Sequence, residues 1–198
     1  MNDDLRPPPR KRIDAVTVGA SAGGIDALLT IFGGLPPDFP LPIMVVLHLR
    51  EDRDSRLAEV FQQHLRMPVR QARDKEPIAD GVLYFAGPGY HLSVEEDHRF
   101  SLSGEDAVHY SRPAIDLLMT SAADVYGEHL AGILLTGANE DGAEGMASIR
   151  QAGGLTIVQD PAEAQVAVMP QSAIRRCPPD HIFRLQQIRQ WLIELGQS

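Results

Sequence analysis

The sequence predicts an α/β fold: three layers, doubly wound, with a mostly parallel sheet and an antiparallel hairpin at one edge. Three observations carry this. Apolar runs at 14–19 (DAVTVG), 43–47 (IMVVL) and 130–135 (LAGILL) are too short for helices and lack polar alternation, as strands buried on both faces do. Segments of helical spacing alternate with them, which is the signature of crossover connections. The chain has 198 residues and no internal repeat, a length that one core can serve.

The elements follow in order. Residues 1–12 are polar and Pro-rich and read as a disordered tail or linker. One domain is expected over 13–198. After the first strand, 23–32 has helical spacing, stopped by Gly33-Gly34 and the prolines at 36 and 37. The 43–47 strand leads to an amphipathic helix over 56–65, with Leu57, Val60, Phe61, His64 and Leu65 on one side, and to a short strand near 69–72. Segments 81–84, 91–94 and 99–102 are short and separated by turn residues, which predicts antiparallel hairpins at a sheet edge. A helix over 113–126 has Ser111 as its candidate cap. Beyond the 130–135 strand come a Gly-rich turn, a helix over 143–152, a strand over 155–159, a short helix over 162–168 and a closing amphipathic helix over 185–195.

Composition narrows the function. The net charge is -9, which argues against a nucleic-acid backbone as partner. The one basic cluster, Arg10-Lys11-Arg12, reads as part of a solvated tail. The single cysteine, Cys177, permits no internal disulfide, fits a reducing compartment and reads as structural or incidental. No apolar run reaches the roughly 18 residues of a membrane span, and the N-terminus has no signal-like apolar stretch. The expectation is a cytoplasmic protein with no membrane insertion.

In a parallel sheet ligands bind beyond the carboxyl ends of the strands. A serine, a histidine and an acidic pair lie just there. Ser21 sits in G-x-S-x-G between Gly19 and Gly23, where a strand turns into a helix and free N–H groups can hold an oxyanion. The same residues also fit a simple helix cap or a dinucleotide loop. His48 ends the second strand, where a dinucleotide fold wants an acidic residue, and histidine is the usual base for a serine. Glu140 and Asp141 follow the 130–135 strand, and spacing leaves open which would orient the histidine. The order Ser, His, Asp differs from that of an α/β-hydrolase. His91 is a weaker candidate for the cleft wall. His64, His98, His109, His129 and His181 have no partner pattern. No metal-ligand spacing occurs, so neither metal nor cofactor is expected.

Several segments taken together resemble one family. VGASAGG, MVVLHL and LLTGANEDGAEGM are similar to the serine, histidine and aspartate segments of CheB-type chemotaxis methylesterases. AGPGYH, SRPAIDLLM and the run ending in MPQSAI add support, in the expected order from Val16 to Ile174. The resemblance implies the methylesterase catalytic domain over 13–198. It implies a hydrolase that demethylates glutamyl methyl esters on chemoreceptor signalling helices, and some members also deamidate receptor glutamines. It assigns Ser21 as nucleophile, His48 as base and Asp141, over Glu140, as the third member. Ala22, Gly23 and Ala138 then fall at the oxyanion site. The methyl-accepting receptor is the implied partner, with a separate receiver or a methyltransferase as further candidates.

The chain also departs from the family pattern. Ala22 replaces the usual Thr, and Ala138-Asn139 replaces the usual Met-Gly. A receiver domain is not found ahead of the catalytic segment, which fits either a stand-alone enzyme or a piece of a longer protein. Three readings compete: an active esterase, a catalytically weak binding module in a chemosensory complex, and a nucleotide-binding domain. The histidine at the second strand end disfavours the last.

Overall fold

The structure is a computed structural model, and it describes residues 11–48 and 56–197. The first ten residues, where most of the expected tail falls, lie outside the described residues.

Seven strands form one wholly parallel sheet. In chain order they are β1 (Ala15–Ala20), β2 (Ile43–Leu47), β3 (Val69–Gln71), β4 (Leu83–Phe85), β7 (Leu130–Leu134), β8 (Leu155–Gln159) and β9 (His181–Phe183). Their order across the sheet is β3-β4-β2-β1-β7-β8-β9. A separate two-stranded antiparallel sheet pairs β5 (His91–Val94) with β6 (Phe100–Ser103). The helices are α1 (Gly24–Phe32), α2 (Leu57–His64), α3 (Ile115–Tyr126), α4 (Ala143–Gln151), α5 (Val168–Arg176) and α6 (Leu185–Leu195).

The central strands are largely apolar because helices cover both faces. Alternate residues of one strand therefore enter different cores. Val16, Val18, Ile43, Val45 and Ile133 join Leu28 and Phe32 of α1, Phe61 of α2, and Ile188 and Leu192 of α6. Ala15, Met44, Val46 and Leu134 join Ile115, Leu118 and Met119 of α3, Met146 and Ile149 of α4, and Met169 of α5. The β5–β6 hairpin packs into this second core through Leu92, Val94 and Phe100. Small residues let α3 and α4 approach the sheet closely. A Cβ on Gly19 would fall 2.4 Å from Ile115, and one on Gly132 would fall 2.4 Å from Ile149.

The chain winds outward from β1 in one direction and returns through β7 in the other. The winding therefore reverses between β1 and β7, where such sheets place their ligands. No helix among the described residues is long and apolar enough to cross a membrane.

Two local expectations are corrected, and one strand was not foreseen. Segment 81–84 does not belong to a hairpin: Leu83–Phe85 is a parallel strand inside the sheet, paired with both β2 and β3. Its neighbours supply the pairing that three residues cannot advertise. The helix expected over 162–168 does not form: residues 162–167 run as turn, bend and irregular chain, and the helix starts at Val168. Strand β9 was not expected, being three residues with a polar first member at the sheet edge.

Phe32 is 1% exposed in the first core. Phe32→Ala is expected to cost about 3–5 kcal/mol of stability, read as a lowered urea midpoint with an unchanged slope.

Candidate active site

Parallel pairing sets Ser21 beside His48. Ala20 pairs with Leu47, and one step further the His48 N–H donates to the Ala20 carbonyl at 3.0 Å. On the other side the Ser21 N–H donates to the Thr136 carbonyl at 2.9 Å. His48, Ser21 and Thr136, just beyond β2, β1 and β7, thus stand in a row at the carboxyl edge of the sheet.

Gly23 makes the turn from strand to helix, with φ +79° as the residue capping α1. A non-glycine residue rarely adopts that conformation. The amides of Ala22 and Gly23 have no hydrogen-bond acceptor among the described residues, and Ala22 is exposed. The same holds for the amide of Ala138, also exposed. Those of Ala22 and Gly23 are free donors at the start of α1, the setting in which an anionic oxygen is stabilised, and that of Ala138 is a further free donor from the loop before α4.

His48 Nε2 donates to Asp141 Oδ2 at 2.8 Å. Asp141 is fully buried, and its carboxylate also accepts the Ile115 N–H at 2.7 Å and the Asp116 N–H at 2.9 Å. Burial pushes its carboxyl up, but the His48 hydrogen bond and the two amides outweigh burial and hold it below the ordinary carboxylate range. Ionised Asp141 fixes the proton on Nε2 and leaves Nδ1 to face the site.

Asp141 also caps α3. Ala114, the residue before that helix, makes no side-chain cap bond, and Ser111, the expected cap, lies outside it. The Ser111 hydroxyl instead lies 3.4 Å from His48 Nδ1 and accepts from Asn139 Nδ2 at 3.3 Å. The Ser21 hydroxyl makes no hydrogen bond among the described residues. Glu140, the rival to Asp141, is exposed and points instead toward His109 at 3.5 Å.

His91 does not line the cleft. It is fully buried, its Nδ1 accepts the Ala114 N–H at 3.1 Å, and its Nε2 donates to the Asp106 carbonyl at 3.0 Å. Both ring nitrogens are consumed in tying segment 104–112 to the start of α3. That segment carries Ser111 and His109.

Three further residues shape the site without having been singled out from sequence. Thr136 Oγ1 donates to the Ala22 carbonyl at 2.8 Å and accepts the Val166 N–H at 2.9 Å, joining the serine loop to the 162–168 segment. Gln159 Oε1 accepts the Thr136 N–H at 2.8 Å. Asp116 Oδ1 accepts the Gly142 and Gly145 amides at 2.8 and 2.7 Å, which anchors the loop that carries Asp141. Gly142, at φ +97°, makes the turn into α4. A carboxylate in an otherwise apolar helix face was the one sequence signal for Asp116; the others left none.

A parallel α/β sheet with a serine, a histidine and a buried aspartate at its carboxyl edge defines a hydrolase-like scaffold. The comparisons make it specific: the model of the CheB methylesterase family matches residues 16–192, and the chain belongs to that family. It is 41% identical over 185 residues to a putative protein-glutamate methylesterase/protein-glutamine glutaminase of Leptospira interrogans, covering 93% of this chain and 96% of that protein. It is 40% identical over 192 residues to protein-glutamate methylesterase/protein-glutamine glutaminase 2 of Anaeromyxobacter dehalogenans, covering 97% of this chain but 56% of that longer protein. The crystal structure of the Thermotoga maritima CheB methylesterase catalytic domain superposes with a TM-score of 0.87 at 31% identity, covering 92% of this chain and 98% of that one.

Asp116 generates a prediction. Burial, aided by the Asp141 charge and opposed by the Gly145 and Gly142 amides, pushes its carboxyl up from 3.8 to about 6. A carboxyl raised in the folded state adds stability that is full below its unfolded value and lost as pH rises through about 6. Asp116→Asn keeps an oxygen for the two glycine amides and removes that loss. Its melting temperature is expected to gain on wild type between about pH 4 and about pH 7, by about 2–4 °C if about 1 kcal/mol is recovered. Calorimetry across that range checks the sign.

Proposed function

We propose that this chain is a serine hydrolase that removes methyl groups from glutamyl methyl esters on chemoreceptor signalling helices, with Ser21, His48 and Asp141 as its triad. The observation that carries the reading is the 2.8 Å bond from His48 Nε2 to the buried Asp141 carboxylate, one strand away from Ser21. The family and the names of its relatives supply the substrate class.

His48 Nδ1 takes the Ser21 proton as Oγ attacks the ester carbonyl. The free amides of Ala22, Gly23 and Ala138 hold the oxyanion, donors that are worth about 3–4 kcal/mol each in such sites. The carbon–methoxy bond breaks, and the imidazolium proton leaves with methanol. Water then attacks the glutamyl-enzyme, gives a proton to His48 and releases the glutamate carboxylate and free Ser21. With a glutamine substrate the same steps would release ammonia, as the glutaminase part of the relatives' names suggests. Asp141 stays ionised throughout and steadies the imidazolium. The receptor's signalling helices place this work in the cytoplasm.

The binding-module reading rests on Ala22 in place of Thr. The unoccupied amides and the ionised Asp141 favour turnover over it, since a mere docking face needs neither. Ser21→Ala is expected to lower methanol release from methyl-esterified receptor signalling domain by at least about 10⁴-fold with the fold intact. A folded wild type that releases no methanol from several receptors would sink the proposal.

A further inference from the structure

We propose that Ser111 is a positioning residue for His48: its hydroxyl holds the reacting Nδ1 nitrogen, and Asn139 holds that hydroxyl in place. The inference rests on the triad reading above. Nε2 is committed to Asp141, so Nδ1 is the nitrogen that must receive and return protons. The group that faces it is not Ser21 but Ser111, at 3.4 Å.

The hydroxyl has a second acceptor, the His109 carbonyl at 3.5 Å. Its oxygen meanwhile accepts from Asn139 Nδ2 at 3.3 Å. Asn139 is anchored in turn, its Oδ1 accepting the Asp141 N–H at 3.3 Å. The Ser111 oxygen thus has one donor among the described residues, Asn139, while its proton has two places to go. When His48 is neutral, the hydroxyl donates to the Nδ1 lone pair. When Nδ1 carries the proton taken from Ser21, the hydroxyl turns to the His109 carbonyl and presents a lone pair to Nδ1–H. No proton passes through Ser111 and no bond to it forms or breaks.

The consequence is that the imidazole is held at both nitrogens in both charge states. An imidazole tied only at Nε2 can tilt about that bond, and general-base catalysis is sensitive to such a tilt. All three contacts of the Ser111 oxygen are long, from 3.3 to 3.5 Å. Contacts of that length yield readily when the Ser21 hydroxyl rotates toward Nδ1.

Ser111 enters the site through the turn that carries it. Val108 and Ser111 exchange backbone hydrogen bonds at 3.1 and 2.8 Å, and Arg112 donates to the carbonyls of Gly104 and Glu105. His91 secures the same segment from beneath.

The test is steady-state methanol release from methyl-esterified receptor domain, with rates of fluorophosphonate labelling at Ser21, for Ser111→Ala, Ser111→Thr, Asn139→Ala and Ser21→Ala. Ser111→Ala is expected to lower kcat about tenfold, the scale of one lost hydrogen bond, and to slow labelling in parallel. KM should stay within about twofold, because substrate binding is untouched. Ser111→Thr should recover to within about threefold of wild type, since it keeps the hydroxyl. Asn139→Ala should show the same kcat-only loss to a smaller degree. Equal losses in the Ala and Thr variants would make the role one of packing and overturn the proposal. So would an unchanged kcat in Ser111→Ala, or loss of labelling as complete as in Ser21→Ala, which would make Ser111 indispensable to the chemistry itself rather than a positioning group. If Ser21→Ala keeps both turnover and labelling, it is the triad reading that fails.

Discussion

The Asp141 carboxylate collects three donors at once: the His48 ring, and the first two amides of α3. A buried negative charge is costly unless each of its lone pairs finds a donor. Here the donors come from the end of one strand and the start of a helix far along the chain. Satisfying the charge therefore aligns the helix, the aspartate loop and the histidine in one step. The positive end of the α3 dipole faces the same carboxylate, which adds to its ionisation. Asp116 repays the contact from the helix side by gripping the Gly142 and Gly145 amides. Each element holds the other's terminus, so neither can shift without exposing a charge or an amide.

This mutual grip depends on small residues. Gly19 lies against Ile115, and a Cβ on Gly145 would stand 2.5 Å from Met119 and 3.2 Å from the Asp116 backbone. Only so close an approach lets a side chain as short as aspartate cap a helix that is not its own. The glycine-rich sequence around the site thus serves packing distance as much as turning.

Much of the fold was legible in the sequence. Strands buried on both faces are apolar at most positions, so β1, β2, β7 and β8 stand out from their surroundings. Short strands have no such signal: Leu83–Phe85 takes its place in the sheet from its two neighbours, and His181–Phe183 from β8 alone. Ser21, His48 and the Glu140–Asp141 pair stood out as candidates because strand ends are privileged positions in this architecture, while the choice of Asp141 over Glu140 came from the family resemblance alone. Ser111, Asn139, Thr136 and Gln159 could not be found, because their roles lie in contacts across 23 to 114 positions of chain. His91 misled for a related reason: a polar ring after a turn reads as cleft lining, and nothing local reveals that both its nitrogens are used inside. Ser111 reads as a cap by its place before a helix, while the actual cap comes from another segment.

The central position of β1 has a bearing on synthesis. This strand pairs with β2, fewer than thirty residues on. Its other edge waits for β7, whose Leu130 lies opposite Ala15. At roughly 5–20 residues per second the ribosome takes about 5–25 seconds to cover that distance. During this interval an apolar strand edge in the middle of the future sheet has no native partner, and such edges invite pairing with other chains. The nascent protein therefore depends on whatever shields that edge until Leu130–Leu134 arrives to pair with it.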